Sequence, residues 1–267
     1  MVARRADTER EARYYAPVAT VDLVIPVYNE EHVLADSVAK VLAWADRHPE
    51  HQWRVVLANN ASTDRTLEVA QRLEAEHPGR VAVLHLPVKG RGIALRTAWL
   101  TSAADVSAYM DVDLSTDIEH IPELVNPLAA NEADLAYGSR LSGKSQTKRS
   151  FKREFISRSY VLILRLLAGL RVSDAQCGFK AIRRDAALAL VPLVEDPRWF
   201  WDSELLLIAQ QNGYRLREVP VRWLEDTDTR VHIFSTAMED LKGIWRLRRH
   251  GIPKVQRGGS GGPSPIS

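Results

Sequence analysis

Cysteine is nearly absent: Cys177 is the single thiol in 267 residues. That excludes a disulfide framework and fits a reducing compartment. No apolar run reaches the roughly 20 residues that a membrane-spanning helix needs. The longest, "FISRSYVLILRLLAGL", is broken by Arg158 and Arg165. The opening "MVARRADTEREARYYAP" is polar and lacks the apolar core of a secretory leader. Several catalytic signatures are missing too. There is no G-x-x-x-x-G-K-[ST], and no G-x-G-x-x-G follows the first predicted strand, which disfavours P-loop and dinucleotide chemistry. The eight histidines are scattered, without H-E-x-x-H or a second cysteine, so a zinc site has little support. No G-x-S-x-G elbow marks a serine hydrolase.

What is present is a soluble composition, 45% hydrophobic and 26% charged, with length for one large or two small domains. Net charge is only +2, but it is unevenly spread. Between Arg140 and Arg184 there are 12 Lys and Arg against Glu154 and Asp174 alone. From Leu241 to Arg257 there are six and no acid. Such clusters favour polyanions or anionic membrane surfaces. Nucleic acid is the poorer partner, because the aromatics are not interleaved with the basic residues.

Short β-branched runs alternate with helical patterns. Strands are expected at 20–27, 53–59, 80–87, 106–114 and 133–140, and helices at 30–48, 62–77, 92–103 and 121–131. Ser62 or Thr63 is placed to cap the second helix. This is the grammar of an α/β protein with a parallel sheet, in which ligands bind at the carboxyl ends of the strands. The segments after the strands are "YNEE", "NNASTD", "VKGRG", "DVDLSTD" and "GSR", all polar. They read as one site assembled from five loops. Within it Asp111 and Asp113 repel unless solvated or bridged by a cation. A hard divalent ion shared with substrate phosphates suits them, and an acidic loop leading into the next helix is the plainer alternative.

The segments "VIPVYNEE", "NNASTD", "KGRGIALRTAW", "MDVDL", "YGSR", "DAQCGFKAIRRD" and "FWDSELLLIAQQNGYRLREVPVRW", in order over about residues 20–247, resemble the motifs of family 2 glycosyltransferases. The resemblance is strongest to the polyprenyl-phosphate (dolichyl-phosphate) glucosyl- and mannosyltransferase branch. It implies a GT-A nucleotide-diphospho-sugar transferase fold, a mostly parallel central sheet flanked by helices, with amphipathic, basic C-terminal helices. Residues 18–250 are expected to form one domain, with a nucleotide-sugar half at about 18–140 and an acceptor half at about 141–250. Residues 1–17 read as a lead-in and 251–267 as a tail. The implied reaction is metal-dependent, inverting transfer of a hexose from a nucleotide-sugar, UDP-glucose favoured, to a polyprenyl phosphate. The alternatives are a saccharide or small-molecule hydroxyl as acceptor, and GDP-mannose or a UDP-amino sugar as donor.

By the same resemblance, Asp113 ligates Mg²⁺ or Mn²⁺, with Asp111 supporting the metal or the ribose. Pro26, Tyr28, Glu30, Asn60, Lys89 and Asp111 belong to the nucleotide-sugar site. Arg140, Arg153, Gln176 and Lys180 belong to the acceptor phosphate, and Asp174, Asp202 and Glu204 are the catalytic acids. "NNASTD" departs from the commoner acidic start of its motif, since Asn59 stands there. Asp64 reads equally as a helix-start residue, and Cys177 as a packed one. The segment "EFISRSYVLILRLLAGL" places Glu154, Arg158 and Arg165 on one helical face and apolar residues elsewhere, so it can lie on a membrane surface. The expected enzyme is cytoplasmic and peripheral at the inner face of a membrane, with room for a separate membrane-protein partner.

Overall fold

Strand β1 (Thr20–Val27) has Val21, Leu23, Val24 and Ile25 all buried, as a strand covered on both faces requires. In the computed structural model, which describes residues 17–143, 145–148, 151–224 and 233–255 (without the side chains of 146–148, 151–157 and 233–239), β1 lies inside a seven-stranded sheet. It pairs in parallel with β2 (Gln52–Asn60) and β4 (Val106–Met110), and β2 pairs in parallel with β3 (Val81–Leu86). Beyond β4 come β7 (Phe179–Arg183), β5 (Leu135–Ser139) and β8 (Leu216–Pro220), giving the order β3-β2-β1-β4-β7-β5-β8. β7 runs antiparallel to both of its neighbours, while β5 and β8 are parallel.

Helices cover both faces. On one, α1 (Leu34–Asp46), α2 (Thr66–Glu76) and α4 (Ile121–Ala129) pack Leu34, Val38, Trp44, Leu73 and Leu124 against Val21, Leu23 and Ile25. The other holds α3 (Arg91–Thr101), α5 (Phe151–Ala168), α6 (Arg184–Leu190), α7 (Trp201–Gln211) and α8 (Ile233–His250) around Val24, Tyr109 and Ile182. Every residue of α7 from Trp201 to Ala209 is buried. That marks a core helix rather than an amphipathic surface one. A second, two-stranded sheet pairs β6 (Gln146–Lys148) with β9 (Arg222–Leu224), and a bridge from Thr116 to Trp223 ties it to the loop after β4.

The observed elements follow the expected alternation, with three local corrections. The fourth strand ends at Met110, not 114. Leu114 takes a φ of 51°, and Asp113 Oδ1 accepts from the Ser115 N–H at 3.0 Å, so the chain turns at once. The first helix starts at Leu34 rather than 30. Ser62 and Thr63 do not cap α2: Ser62 Oγ accepts from Asn29 N–H at 3.1 Å and Thr63 N–H donates to Asn29 Oδ1 at 2.8 Å. Asp64 starts that helix instead, accepting from the Thr66 N–H at 2.9 Å. Burial opposes its charge, but the Thr66 bonds hold its carboxyl below the usual range.

Candidate active site

Strand order reverses between β1 and β4, so the loops after Val27 and Met110 flank the crevice where such sheets bind ligands. Asp111 leaves β4 and accepts from Arg91 Nη2 at 2.7 Å. On its other side lies Gly178, where an added Cβ would sit 2.6 Å from Asp111 Cγ and 2.8 Å from Oδ1, nearer still to Oδ2. The carboxylate is gripped between a guanidinium and bare backbone. Arg91 also faces the rings of Tyr109 and Trp199, 5.4 and 5.1 Å from their centroids. Burial works against its charge, but Asp111 raises its pKa above the ordinary value.

The neighbouring loops are fastened to each other. Lys89 Nζ lies 3.5 Å from the centre of the half-buried Tyr28 ring at the end of β1. Asn60 Oδ1 accepts from the Gly90 N–H at 2.6 Å, so its acceptor atom holds the glycine turn. Pro26 is half buried in β1. Glu30 donates its N–H to Thr66 Oγ1 at 2.7 Å, and its carbonyl accepts from Leu34 N–H at 3.1 Å. Its backbone therefore shapes the loop.

Among the described residues, three further ion pairs lie under or beside the crevice. Lys180 Nζ is 2.9 Å from Asp202 Oδ1 and donates to the Cys177 carbonyl at 2.6 Å. Tyr109 Oη donates to that same Asp202 oxygen. Burial first, and the Asp202 charge second, push the Tyr109 hydroxyl well above its ordinary pKa. Lys180 is 0% exposed, because β7 is a central strand and turns it into the core. The structure therefore does not bring Lys180 to any surface that an acceptor phosphate reaches. Arg140 meets Asp174 at two points, 2.8 Å from Nε and 3.0 Å from Nη2. Glu204 is likewise 0% exposed; it accepts from the Asp196 N–H at 2.8 Å and from Arg246 Nη2 at 2.6 Å. Burial raises its pKa, and those two partners only partly offset this.

Gln176 Nε2 donates to Asp240 Oδ2 on α8 at 3.1 Å, tying the loop before β7 to that helix. Arg153 sits in the first turns of α5, where its side chain is outside the described residues. Cys177 is buried, and burial pushes its thiol up to about 12, which removes it as a nucleophile at neutral pH. Arg91 belongs to the "KGRG" turn, where the sequence already sets it beside Lys89 with glycines that let the backbone approach a ligand. Tyr109, Trp199 and Gly178 carry no signal outside three dimensions.

Asp174 supplies a pH test. Burial alone would raise its pKa, but Arg140 outweighs that and holds it below the ordinary 3.8. A depressed folded pKa contributes stability above the unfolded value, lost as pH falls through the folded one. Arg140→Leu removes the guanidinium and leaves only the Lys180 charge and the backbone N–H groups of residues 140 and 176 against burial, so the acid limb of the stability profile moves up, by about one pH unit. Urea midpoints measured from pH 3 to 7 check this; an unmoved limb means Asp174 has another compensating partner.

Residues 22–190 match the family described as glycosyl transferase family 2. The chain is 36% identical to Glycosyltransferase AglD of Haloferax volcanii over 249 residues, covering 91% of this chain and 40% of that protein. It is 30% identical to Dolichyl-phosphate beta-glucosyltransferase ALG5C of Trichomonas vaginalis over 221 residues, covering 79% and 65%. It thus spans less than two thirds of the length of either relative. Among solved structures, glucosyl-3-phosphoglycerate synthase from Mycobacterium tuberculosis with Mn²⁺ and UDP-glucose superposes with a TM-score of 0.62 at 21% identity, over 91% of this chain and 83% of that one. At that identity the likeness bears on the fold, which is the GT-A arrangement described above. The match across most of the sheet, with the D-x-D turn at its switch point, makes this chain a member of glycosyl transferase family 2.

Proposed function

We propose that the protein transfers a hexose, with inversion, from a nucleotide-sugar to a polyprenyl phosphate, UDP-glucose being the favoured donor. The observation that carries the acceptor choice is the state of the three candidate bases. Asp202 is paired with Lys180, Asp174 with Arg140 and Glu204 with Arg246. A sugar hydroxyl must lose a proton as it attacks, whereas a phosphate monoester, with a second pKa near roughly 6, arrives mostly ionised. A site whose three candidate bases are each engaged by a cation suits the second kind of nucleophile. The phosphate oxygen forms a bond to the anomeric carbon as the bond to the nucleoside diphosphate breaks, and the leaving oxygen keeps the electron pair. No proton moves. The names of the relatives, dolichyl-phosphate beta-glucosyltransferases among them, support the same acceptor class.

Asp111 and Asp113 fit a divalent cation shared with the diphosphate. They occupy one turn, and among the described residues no group of three or more metal-ligating side chains forms an all-protein cage. Asp111 and Asp113 would hold a Mg²⁺ or Mn²⁺ there, which would supply positive charge to offset that of the leaving group. Arg91 adds fixed positive charge beside Asp111, and Lys89 stands over Tyr28 at the nucleotide side. Asp113→Ala is expected to lower kcat by at least about a hundredfold with the circular-dichroism spectrum unchanged. Full activity in Mg²⁺ buffer removes the metal assignment.

The acceptor implies a membrane surface. No helix among the described residues is long and apolar enough to cross one. Yet α5 exposes Leu162, Ile163, Leu166 and Leu167 beside Arg158 and Arg165, and α8 exposes Leu241 and Trp245 beside Lys242, Arg248 and Arg249. These faces suit peripheral docking on an anionic leaflet, on the cytoplasmic side, with or without a membrane-protein partner. Val161 is buried, unlike the other apolar residues of α5 named here, and Glu154 and Phe155 fall outside the described side chains. The test is a donor screen by product mass, with a short polyprenyl phosphate, Mg²⁺ or Mn²⁺, and a panel of UDP- and GDP-sugars. A glycosyl-phosphoprenol is expected. Metal-dependent release of nucleoside diphosphate without lipid product keeps the donor site and overturns the acceptor.

A further inference from the structure

The loop 195–200 enters α7 and lies directly on the glycine turn at the start of α3. A Cβ on Gly90 would meet the Pro197 carbonyl oxygen at 2.6 Å, and one on Gly92 would meet the Asp196 carbonyl oxygen at 2.7 Å. Ile93 N–H donates to the Pro197 carbonyl at 3.2 Å. The loop carries one large aromatic at this edge: Trp199 is 39% exposed although its ring faces the Arg91 guanidinium, which in turn holds Asp111. An indole left open beside the turn that bears the D-x-D pair is out of place in a loop serving only to pack. Phe200, next to it, shows what packing looks like here: it is fully buried against α8, where a Cβ on Gly243 would approach Phe200 Cγ to 2.8 Å.

The loop is also braced from behind. Glu204 reaches back from α7 to the Asp196 N–H, and Arg246 of α8 pairs with Glu204 at 2.6 Å and with Glu195 at 3.4 Å. Arg198 N–H donates to Asp196 Oδ1 at 2.8 Å, fixing the turn that presents Trp199. A buried acid used this way is a brace; its two oxygens are taken by the loop and by α8.

We infer that Trp199 is a specificity-determining contact for the transferred hexose, with its C–H face stacked on the indole, and that Glu204 and Arg246 are positioning residues that hold this loop over the glycine turn. The inference rests on the nucleotide-sugar reading above. It assigns the sugar, not the nucleotide, to Trp199, because Trp199 faces the Arg91 that holds Asp111, the residue given above to the diphosphate, whereas the nucleotide side is given to Lys89 and Tyr28, which face each other. The aromatic platform discriminates hexoses by the pattern of axial hydroxyls on the face that it meets.

Calorimetry on the purified full chain with Mn²⁺ tests it, using UDP, GDP, UDP-glucose and GDP-mannose as probes. For the nucleotide that wild type binds, Trp199→Ala is expected to weaken the sugar conjugate about tenfold while leaving the bare diphosphate within about twofold. Trp199→Phe recovers most of that loss. Glu204→Gln keeps an acceptor for the Asp196 N–H but loses the ion pair, and is expected to shift the same ratio by a smaller factor. Equal weakening of diphosphate and conjugate in Trp199→Ala overturns the sugar assignment, and so does no weakening of either. Equal weakening in Glu204→Gln overturns the positioning role alone. If wild type binds no nucleoside diphosphate, the donor reading itself falls.

Discussion

Gly178→Ala is expected to lower kcat by at least about a hundredfold, as much as removing a charge-stabilising group outright. The glycine is chosen here for close approach: the missing side chain is the space that the Asp111 carboxylate occupies. A methyl group at that point must push either β7 or Asp111 aside. β7 is held on both edges by β4 and β5, so the carboxylate is the part that yields. Moving it breaks the 2.7 Å contact with Arg91 and displaces the carboxylate proposed above for the donor site. Stability should fall only modestly, by about 1–3 kcal/mol as for other overpacked sites. The readout is metal-dependent release of nucleoside diphosphate alongside a thermal melt. Near-normal turnover would mean that Asp111 takes no part in the donor site.

Lys180→Met carries the largest expected loss of stability, about 3–5 kcal/mol, because it leaves Asp202 buried without its cation. Methionine matches the stem of lysine, so lost packing contributes little. The double change Lys180→Met with Asp202→Asn removes both charges, and is expected to recover at least half of the loss. Urea unfolding of the two variants against wild type measures this. A single-variant loss below about 1 kcal/mol would show that Tyr109 alone satisfies Asp202.

Strand and helix order was readable because parallel strands buried on both faces are continuous apolar runs, and "TVDLVIPV" and "WRVVLAN" have that form. The polar strand ends located the crevice for the same reason. Two things were hidden. In "DAQCGFKAIRRD" Lys180 is expected on the acceptor side, but residues 179–183 form β7, an inner strand covered on both faces, and Lys180 is fully buried there. The acids of "WDSELL" begin a helix buried all round, where a carboxylate survives only with a partner. An apolar pattern with no polar face was the signal available for that. Trp199 could not have been assigned from its spacing, since only the folded loop brings it to Arg91.

The reversed strand also bears on how the chain is made. Synthesis delivers β4 and β5 well before residues 179–183, yet those residues fill the slot between them. Until they leave the ribosome, the sheet has a gap at its centre, and two inner strands present open edges of the kind that recruit other chains. The turn that carries Asp111 and Asp113 is therefore encoded early, but the strand beside it arrives late. A cut near residue 140 would divide one seven-stranded sheet between two fragments.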